Sequence, residues 1–391
     1  MNGKNTKNNY INISGLNLRE NNRGTAALGY GAFYFLKEKN MLKPNDVVVT
    51  FKFYKNIFRK RSRTVDESIV ECNGAEVKVK AVPVFIAEKF LAYKFGIILP
   101  FTRFGKILRN LKLVAAINGG DGFSDIYNTH TFLQRLHETK IAMKCNIPLA
   151  ILPQTIGPFE LLQNKKIAEQ ILRYAKYIYV RDDKFVSELE KMGVKYEITK
   201  DLSAYMQPQT FNIEILPNSV GLNISGLAYS NTFQSLAGQF KTYPYLINSI
   251  IRYFQKQSVP IYLIPHSYNY NSPEKSNDDL DAIKKVYENL DNKTNVHIVG
   301  VDMIAPEVKF VISKMRFFIG TRMHANFAAI YTNVPLFGLA YSYKFQGAFE
   351  ANGIYNSTAM INNITEADCD EILKQIEKKY IEVKNGEIKN K

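Results

Sequence analysis

Short apolar runs alternate with amphipathic stretches along most of the chain. VVVTFKF (47–53), LVAAIN (113–118) and LFGLAY (336–341) have the length and composition of buried strands. The longer stretches between such runs, among them 160–176 and YLINSIIRYFQKQ (245–257), place apolar residues at helical spacing. This regular alternation predicts an α/β protein with parallel sheets and crossover helices.

The alternation pauses once, in the proline-bounded segment PQTFNIEILP (208–217), and restarts with VGLNIS (220–225). Two strand–helix series of similar length predict two Rossmann-like domains that face each other across a cleft. We place an N-terminal domain at residues 1–210 and a C-terminal domain at residues 218–365. A last helix and a polar tail are predicted at 366–391.

The composition excludes several classes of protein. Hydrophobic residues make up 46% of the 391 positions and charged residues 22%, which is typical of globular proteins and disfavours disorder or coiled coil. The three cysteines lie far apart, so we expect a reducing compartment rather than a disulfide framework or a thiolate zinc site. The sequence shows neither a secretory signal nor an apolar run long enough to span a bilayer. We therefore expect a cytoplasmic protein.

Positive charge is concentrated in the first third of the chain. Residues 1–120 carry 21 Lys and Arg against 8 Asp and Glu, a net charge of +13, whereas the remaining residues contribute only +2. Segment 89–120 has no acidic residue and interleaves its cations with aromatic side chains, and FRKRSR (58–63) adds a second basic run. This pattern suits the headgroup region of an anionic bilayer, so residues 84–112 are a candidate for a peripheral membrane contact. A core helix with a solvated basic face explains the pattern equally well, and no nucleic-acid-binding motif accompanies the charge.

The strongest candidate site is Gly-Thr-Arg-Met-His at residues 320–324. It follows the apolar run FFIG and precedes a predicted helix that Thr321 is placed to cap. A helix that starts at the carboxyl end of a parallel strand presents unpaired N–H groups to the cleft. Arg322 adds a bidentate anion-binding group, and His324 adds a group that titrates near neutral pH. The motif therefore predicts an anion site that contains a proton-transfer residue.

Polar residues after other predicted strands give weaker signals. Arg181 and Asp182 follow YIYV, and a structural ion pair explains them as well as a binding site does. A glycine-rich turn after LVAAI would let a ligand approach the backbone, and Asn-Arg-Gly-Thr at 22–25 precedes a helix where an anion is expected to bind. The secondary candidates are Asn22, Thr25, Asn118, Gly119, Asp121, His266 and Asp279.

Several common catalytic motifs are missing from the sequence. There is no G-x-x-x-x-G-K-[ST] loop, no H-E-x-x-H helix and no G-x-S-x-G elbow. The Asp and His residues also lack the spacing of a metal site. We therefore expect chemistry that uses no metal and no cofactor and depends on arginine, histidine and helix termini.

Taken in order, these motifs resemble those of the polysaccharide pyruvyl transferase family. The similarity extends over roughly residues 10–345, and its last block is the most specific. The matching segments are NRGTAAL, INGGDGFSD, LPQTIGPF, YVRDDKFVSELEKMGV, KDLSA, VGLNIS, IPHS, NDD and IGTRMHANFAAIYTNVPLFGLAYSYK. The chain departs from the family at LPQTIG, where a GQSIG-like run is common, and at RGT, where Gly-Asp is frequent.

This resemblance implies a fold similar to GT-B glycosyltransferases and the use of phosphoenolpyruvate to form a pyruvate ketal on a sugar of a cell-envelope glycan. By motif, Arg181, Arg322 and His324 fall on positions that the family uses for phosphoenolpyruvate. Thr321 and Lys344 are expected to add donor contacts, and the secondary candidates are assigned to the acceptor side. The acceptor is expected to be a saccharide linked to polyprenyl pyrophosphate, which would bring the enzyme to the inner face of the cell membrane.

The chemistry of phosphoenolpyruvate suits these residues. Its phosphate and carboxylate are natural partners for arginine side chains and a helix N-terminus. His324 is the best acid–base candidate, and protonation of C3, deprotonation of a hydroxyl and binding of phosphate all remain open for it. Two rival functions also remain: a GT-B glycosyltransferase that uses a nucleotide sugar, and a basic protein that binds nucleic acid or acidic glycan.

Overall fold

A computed structural model describes residues 9–56, 64–126, 128–341 and 344–386, without the side chains of Lys344 and Gln346. The chain forms two compact units. The described residues of unit 1 lie in segments 9–17 and 28–206, and those of unit 2 lie in segments 18–27 and 207–386.

Unit 1 is built on an eight-stranded sheet with the order β3-β4-β2-β1-β5-β6-β7-β8. Its strands are β1 (Tyr10–Ser14), β2 (Val47–Tyr54), β3 (Asp66–Cys72), β4 (Ala75–Phe85), β5 (Leu111–Ala116), β6 (Leu149–Gln154), β7 (Tyr177–Val180) and β8 (Glu197–Ile198). Its helices are α1 (Arg23–Glu38), α2 (Ile86–Phe95), α3 (Arg103–Leu108), α4 (Thr129–Arg135), α5 (His137–Lys144), α6 (Leu162–Tyr174), α7 (Val186–Lys191) and α8 (Leu202–Tyr205). Helix α1 begins within the segment 18–27 of unit 2, and its remaining residues belong to unit 1.

The central strands of unit 1 are parallel and apolar. Residues of β1, for example Ile11 and Ile13, are fully buried, and β1 pairs in parallel with both β2 and β5. Burial on both faces explains why these strands read as continuous apolar runs in the sequence. The carboxyl ends of β5, β6 and β7 lie at the same edge of the sheet, so the loops that follow them are neighbours.

The antiparallel hairpin of β3 and β4 is not predicted by the sequence pattern. Its two-residue turn is Asn73-Gly74, both with positive φ (50° and 67°), which is the geometry of a type I′ turn. The signal is hidden because β3 has the sequence DESIVEC and buries only Val70 and Cys72. Residues 129–144 form two helices, α4 and α5, separated at Leu136.

Unit 2 is built on a six-stranded parallel sheet with the order β11-β10-β9-β12-β13-β14. Its strands are β9 (Val220–Asn223), β10 (Ile261–Leu263), β11 (Val296–Ile298), β12 (Phe317–Gly320), β13 (Leu336–Ala340) and β14 (Thr358–Met360). Its helices are α9 (Gly226–Ser230), α10 (Tyr243–Lys256), α11 (Asp279–Glu288), α12 (Ala305–Ser313), α13 (Met323–Ile330), α14 (Lys344–Glu350) and α15 (Glu366–Lys384). Apolar clusters cover both faces of this sheet, as a doubly wound fold requires.

The predicted division of the chain differs from the structure in two places. Segment 18–27 belongs to unit 2, because Arg23 donates to the Met303 carbonyl (2.6 Å) and Tyr268 donates to the Asn21 carbonyl (3.0 Å). Helix α15 is part of unit 2 rather than a separate C-terminal segment, because residues such as Ile376 and Tyr380 pack into its core. None of the described helices is both long and apolar enough to cross a membrane.

Candidate functional site

The first turn of α13 follows β12 directly, as the sequence predicts, but its N-cap is different. Arg322 occupies the N-cap position with extended backbone angles (φ −88°, ψ 131°), and its N–H donates to Asn223 Oδ1 (2.9 Å). Thr321 is fully buried, and its hydroxyl forms a hydrogen bond with the Tyr243 hydroxyl on α10 (2.8 Å). The predicted capping role of Thr321 is therefore wrong, because its side chain is already engaged by Tyr243.

The guanidinium of Arg322 is held by a buried carboxylate. Its Nε and Nη2 atoms donate to Asp279 Oδ1 at 3.0 and 2.7 Å, and Nη2 also donates to Asn277 Oδ1 (2.7 Å). Burial is the largest influence and lowers the pKa of Arg322, but Asp279 and Tyr341 together outweigh it and raise the pKa. The side chain is therefore a permanently charged group with a fixed orientation.

Asp279 itself accepts hydrogen bonds from several backbone segments of unit 2. Its Oδ1 also accepts from the Gly226 N–H (2.9 Å), and its Oδ2 accepts from the N–H groups of His266 (3.0 Å) and Ser267 (2.8 Å). The carboxylate has no exposed surface, and both oxygens have donors from this unit. The structure thus makes Asp279, a predicted acceptor-side residue, a positioning residue for Arg322.

His324 lies where the first turns of two helices meet. It is the second residue of α13, and its ring packs edge-on against Phe327 (5.4 Å between centroids). Gly24 is the second residue of α1, and a Cβ added there would lie only 2.7 Å from His324 Nδ1. Helix N-termini carry partial positive charge, so the half-buried imidazole stands between two such ends, two residues after Arg322 in the sequence.

The other predicted residues of unit 2 surround this position. His266 is buried, and its pKa is held well below the ordinary value by burial and then by its neighbours His324, Arg322 and Arg23. Asn22 is exposed and accepts the Gly24 N–H on its Oδ1 (2.9 Å), whereas Thr25 is half-buried in the first turn of α1.

Arg23, part of the predicted anion-binding segment 22–25, is a structural residue. Its guanidinium donates to the carbonyls of Met303, Glu20 and Asn21 and to the Asp302 carboxylate (3.0 Å). The same group stacks over the Tyr268 ring at 4.3 Å. These contacts fix the start of α1, and hence Gly24, within unit 2.

In unit 1, Arg181 lies at the carboxyl end of β7 and is also paired. Its Nη1 donates to Asp201 Oδ2 (2.8 Å), its Nε donates to Thr155 Oγ1 (3.1 Å), and Asp182 lies 3.7 Å away. Burial is the largest influence and lowers the pKa of Arg181, but Asp201, Asp182 and Asp121 together outweigh it and raise the pKa. Asp201 is a site residue that sequence reasoning missed; its only signal is the motif KDLSA.

The glycine-rich loop of unit 1 is packed between two arginines. Asn118, Gly119 and Gly120 all have positive φ (49°, 73° and 83°), and a Cβ at Gly120 would lie 3.2 Å from Arg181 Nη1. Arg135, which sequence reasoning also missed, lies against Gly122 and forms a long ion pair with Asp121 (3.9 Å). The Asn118 side chain is 3% exposed, and neither polar atom of its amide has a hydrogen-bond partner among the described residues. A buried amide of this kind is a natural ligand contact.

A second titratable cluster lies beside α5 in unit 1. Lys89 Nζ is 2.9 Å from His137 Nδ1, and burial followed by the positive charges of Lys89 and Lys140 lowers the pKa of His137 to about 4. Burial raises the pKa of the adjacent Glu138 to about 7, although hydrogen bonds from Asn12 and Ser14 oppose the shift. These two shifts make the free energy of unfolding depend on pH.

The structure thus groups the candidates into two sets. Unit 2 brings Arg322, His324, Thr321, His266, Asp279 and the start of α1 together, while unit 1 contains Arg181, Asn118, Gly119 and Asp121. The side chain of Lys344 lies outside the described residues. Among the described residues, no group of three or more His, Cys, Asp or Glu side chains could hold a metal ion.

Comparison with protein families gives a match over most of the chain. A family model described as polysaccharide pyruvyl transferase matches residues 22–343. This range contains every candidate residue named above except Lys344. A search of curated proteins found no match.

Solved structures match over nearly the whole length at low identity. UDP-GlcNAc 2-epimerase from Neisseria meningitidis, bound to UDP-GlcNAc, is 11% identical with a TM-score of 0.51, covering 98% of this chain and 95% of that chain. A putative UDP-N-acetylglucosamine 2-epimerase from Listeria monocytogenes is 10% identical with a TM-score of 0.54, and the match covers 95% of this chain and 88% of that chain. These likenesses establish the fold, and the predicted α/β GT-B-like architecture is confirmed.

Proposed function

The chain belongs to the polysaccharide pyruvyl transferase family, and from this premise we propose that it transfers the enolpyruvyl unit of phosphoenolpyruvate to a saccharide. The product is a pyruvate ketal on a cell-surface polysaccharide or on its lipid-linked precursor. We place the reaction in the cytoplasm, at the inner face of the cell membrane, where a polyprenyl-pyrophosphate-linked acceptor would be found.

The observation that carries the proposal is the position of His324. The imidazole stands between the first turns of α13 and α1, beside an arginine whose charge and orientation are fixed by Asp279. Two helix N-termini and a guanidinium favour a small ligand with more than one negative charge. Phosphoenolpyruvate, with a phosphate and a carboxylate, is such a ligand.

The reaction balances with these residues. C3 of phosphoenolpyruvate gains a proton, two acceptor hydroxyls form C–O bonds to C2, and the bond from C2 to the phosphate oxygen breaks. The two hydroxyl protons are accounted for by C3 and by the departing phosphate. His324 is assigned to proton transfer or to the leaving phosphate, and Arg322 to binding of the dianion.

The remaining contacts follow from the family resemblance. Arg181, Thr321 and Lys344 are proposed donor contacts. The Thr321 hydroxyl is already hydrogen-bonded to Tyr243. We therefore assign the Thr321 contact with the donor substrate to the backbone at the start of α13. On the acceptor side we propose Asn118, Gly119 and Asp121, together with the unit 2 residues Asn22, Thr25 and His266. The Asn118 amide supports this assignment, because no described residue bonds it and it is both a donor and an acceptor for sugar hydroxyls.

The test is turnover with defined donors. The enzyme is incubated with phosphoenolpyruvate and a mixture of methyl hexopyranosides, phosphate release is measured, and the sugars are analysed for a pyruvate ketal by mass spectrometry. We expect both signals in the wild type and a loss of at least about 100-fold in His324→Gln. His130→Gln, which changes a histidine of unit 1 far from this motif in sequence, is the matched control. Release of UDP from UDP-GlcNAc with no reaction of phosphoenolpyruvate would instead support the nucleotide-sugar glycosyltransferase.

A further inference from the structure

A face of unit 1 exposes large apolar side chains that its core does not use. Within residues 90–101, Phe101 is 73% exposed, Phe95 58%, Phe90 50% and Ile97 48%. The same segment is anchored on its other side by Ala92, and the following helix α3 is anchored by buried residues such as Phe104 and Ile107. Folding therefore buries one side of α2 and of α3, and it leaves exposed the apolar side chains of α2 and of the following turn and the cations of α3.

Backbone contacts hold this exposed segment in place. Gly96 ends α2 with φ +69°, and a Cβ there would lie 2.5 Å from the Lys144 carbonyl oxygen, so the turn packs tightly on the end of α5. Thr102 caps α3 by accepting the Gly105 N–H (3.0 Å), which defines the chain direction directly after Phe101. The aromatic side chains are thus held by helix α2 and by the turn that joins it to α3.

Exposed cations are interleaved with these aromatic residues in the sequence, and the nearest acid is Glu88, two residues before Phe90. Segment 89–120 has no Asp or Glu, and Lys94 lies 5.7 Å from the Phe90 ring centroid. We call the exposed set the cationic aromatic face; it comprises Phe90, Lys94, Phe95, Ile97, Phe101, Arg103, Lys106 and Arg109. Lys89 is not part of it, because its ammonium group points to His137 and to the Phe53 ring. The basic run 58–63 lies outside the described residues.

We propose that the cationic aromatic face docks on an anionic bilayer, with its phenylalanines at the headgroup boundary and its cations over the anionic lipids. Charge complementarity favours a bilayer over an apolar protein groove, because cations alone flank the aromatic residues in this segment. The proposal replaces the solvated core helix as the explanation of residues 84–112, because the aromatic residues are exposed. It concerns where the protein acts, and its test uses no enzymatic activity.

Flotation with vesicles of defined composition tests the proposal. We expect the wild type to float with vesicles that contain phosphatidylglycerol, to remain below with pure phosphatidylcholine, and to be released by high salt. The charge-reversed variant Arg103→Glu/Lys106→Glu/Arg109→Glu should bind at least about 100-fold more weakly, because each basic residue near an anionic surface contributes about fivefold. The variant Phe90→Ser/Phe95→Ser/Phe101→Ser should also fail to float with the phosphatidylglycerol vesicles.

The matched control changes a different exposed apolar pair of unit 1. Leu161 and Leu162 are 54% and 68% exposed, so Leu161→Ser/Leu162→Ser should float as the wild type does. Thermal unfolding confirms that each variant is folded, which is expected because the changed side chains are exposed. Equal flotation with both lipid compositions, or wild-type flotation of the phenylalanine variant, would overturn the proposal. A wild-type dimer that the phenylalanine variant dissociates, with no flotation of either, would assign the face to a second copy of the chain instead.

Discussion

Gly24→Ala tests whether the position of His324 matters for the reaction. A Cβ at residue 24 would lie 2.7 Å from Nδ1, 2.8 Å from Cγ and 2.9 Å from Cβ of His324. Ordinary contact needs about 3.5 Å, so the imidazole must move by about 0.8 Å. A displacement near 1 Å of a reacting group costs about 100-fold, so we expect kcat to fall by about 10- to 100-fold. Alanine is the better helix former by up to about 1 kcal/mol, so the free energy of unfolding should change little.

The assay is phosphoenolpyruvate-dependent phosphate release, with kcat and KM determined separately. We expect the loss in kcat, with the KM for the saccharide unchanged. Gly300→Ala is the matched control in the same unit, because a Cβ there would make only ordinary contact with Ile298 (3.5 Å). A Gly24→Ala enzyme with wild-type kcat would refute the proposal that the imidazole acts from this position.

Three further predictions concern stability and the acceptor. Asp279→Asn leaves the buried Arg322 charge without its partner, so chemical denaturation should show a loss of about 3–5 kcal/mol in the free energy of unfolding. Glu138→Gln should raise that free energy at pH 8 by up to about 3 kcal/mol, because the folded carboxyl keeps its proton up to about pH 7 whereas the unfolded one loses it near pH 4.5. The same variant should lose stability as the pH falls from 6.5 to 4, because in this range His137 binds a proton only in the unfolded protein. In the wild type, Glu138 has the opposite effect on the free energy of unfolding over much of the same range. Asn118→Gly removes, at a φ of +49°, an amide that has no hydrogen-bond partner in the described part of the chain, so the melting temperature should hold while the KM for the saccharide rises in steady-state assays.

Most of the fold could be predicted from hydrophobic periodicity. The central parallel strands are buried on both faces, so they appear as uninterrupted apolar runs, and the pause at 208–217 coincides with the boundary after Met206. The hairpin of β3 and β4 could not be predicted this way, because five of the seven β3 residues are exposed and three of those are acidic. The assignment of segment 18–27 to unit 2 depends on hydrogen bonds of Arg23 to residues about 280 positions away, which no local pattern contains.

The candidate site was predictable only where its residues are adjacent in the chain. Arg322 and His324 share one helix start, so their proximity follows from the sequence. The pairing of Arg322 with Asp279, 43 residues earlier, depends on tertiary packing, as does the contact of Gly24 with the imidazole. The sequence does not indicate this contact, because Gly24 contributes only the absence of a side chain, which leaves room for the imidazole.

The most direct test of the central claim follows the His324 imidazole by NMR while ligand is added. The His324 signal is assigned by its absence in His324→Gln, and phosphoenolpyruvate is titrated into the wild type and into Arg322→Lys. The account predicts a saturable shift of that signal in the wild type and weaker binding in Arg322→Lys, since lysine cannot reproduce the two hydrogen bonds to Asp279 that fix the cation. An imidazole signal that ignores phosphoenolpyruvate and shifts with UDP-GlcNAc would contradict the account.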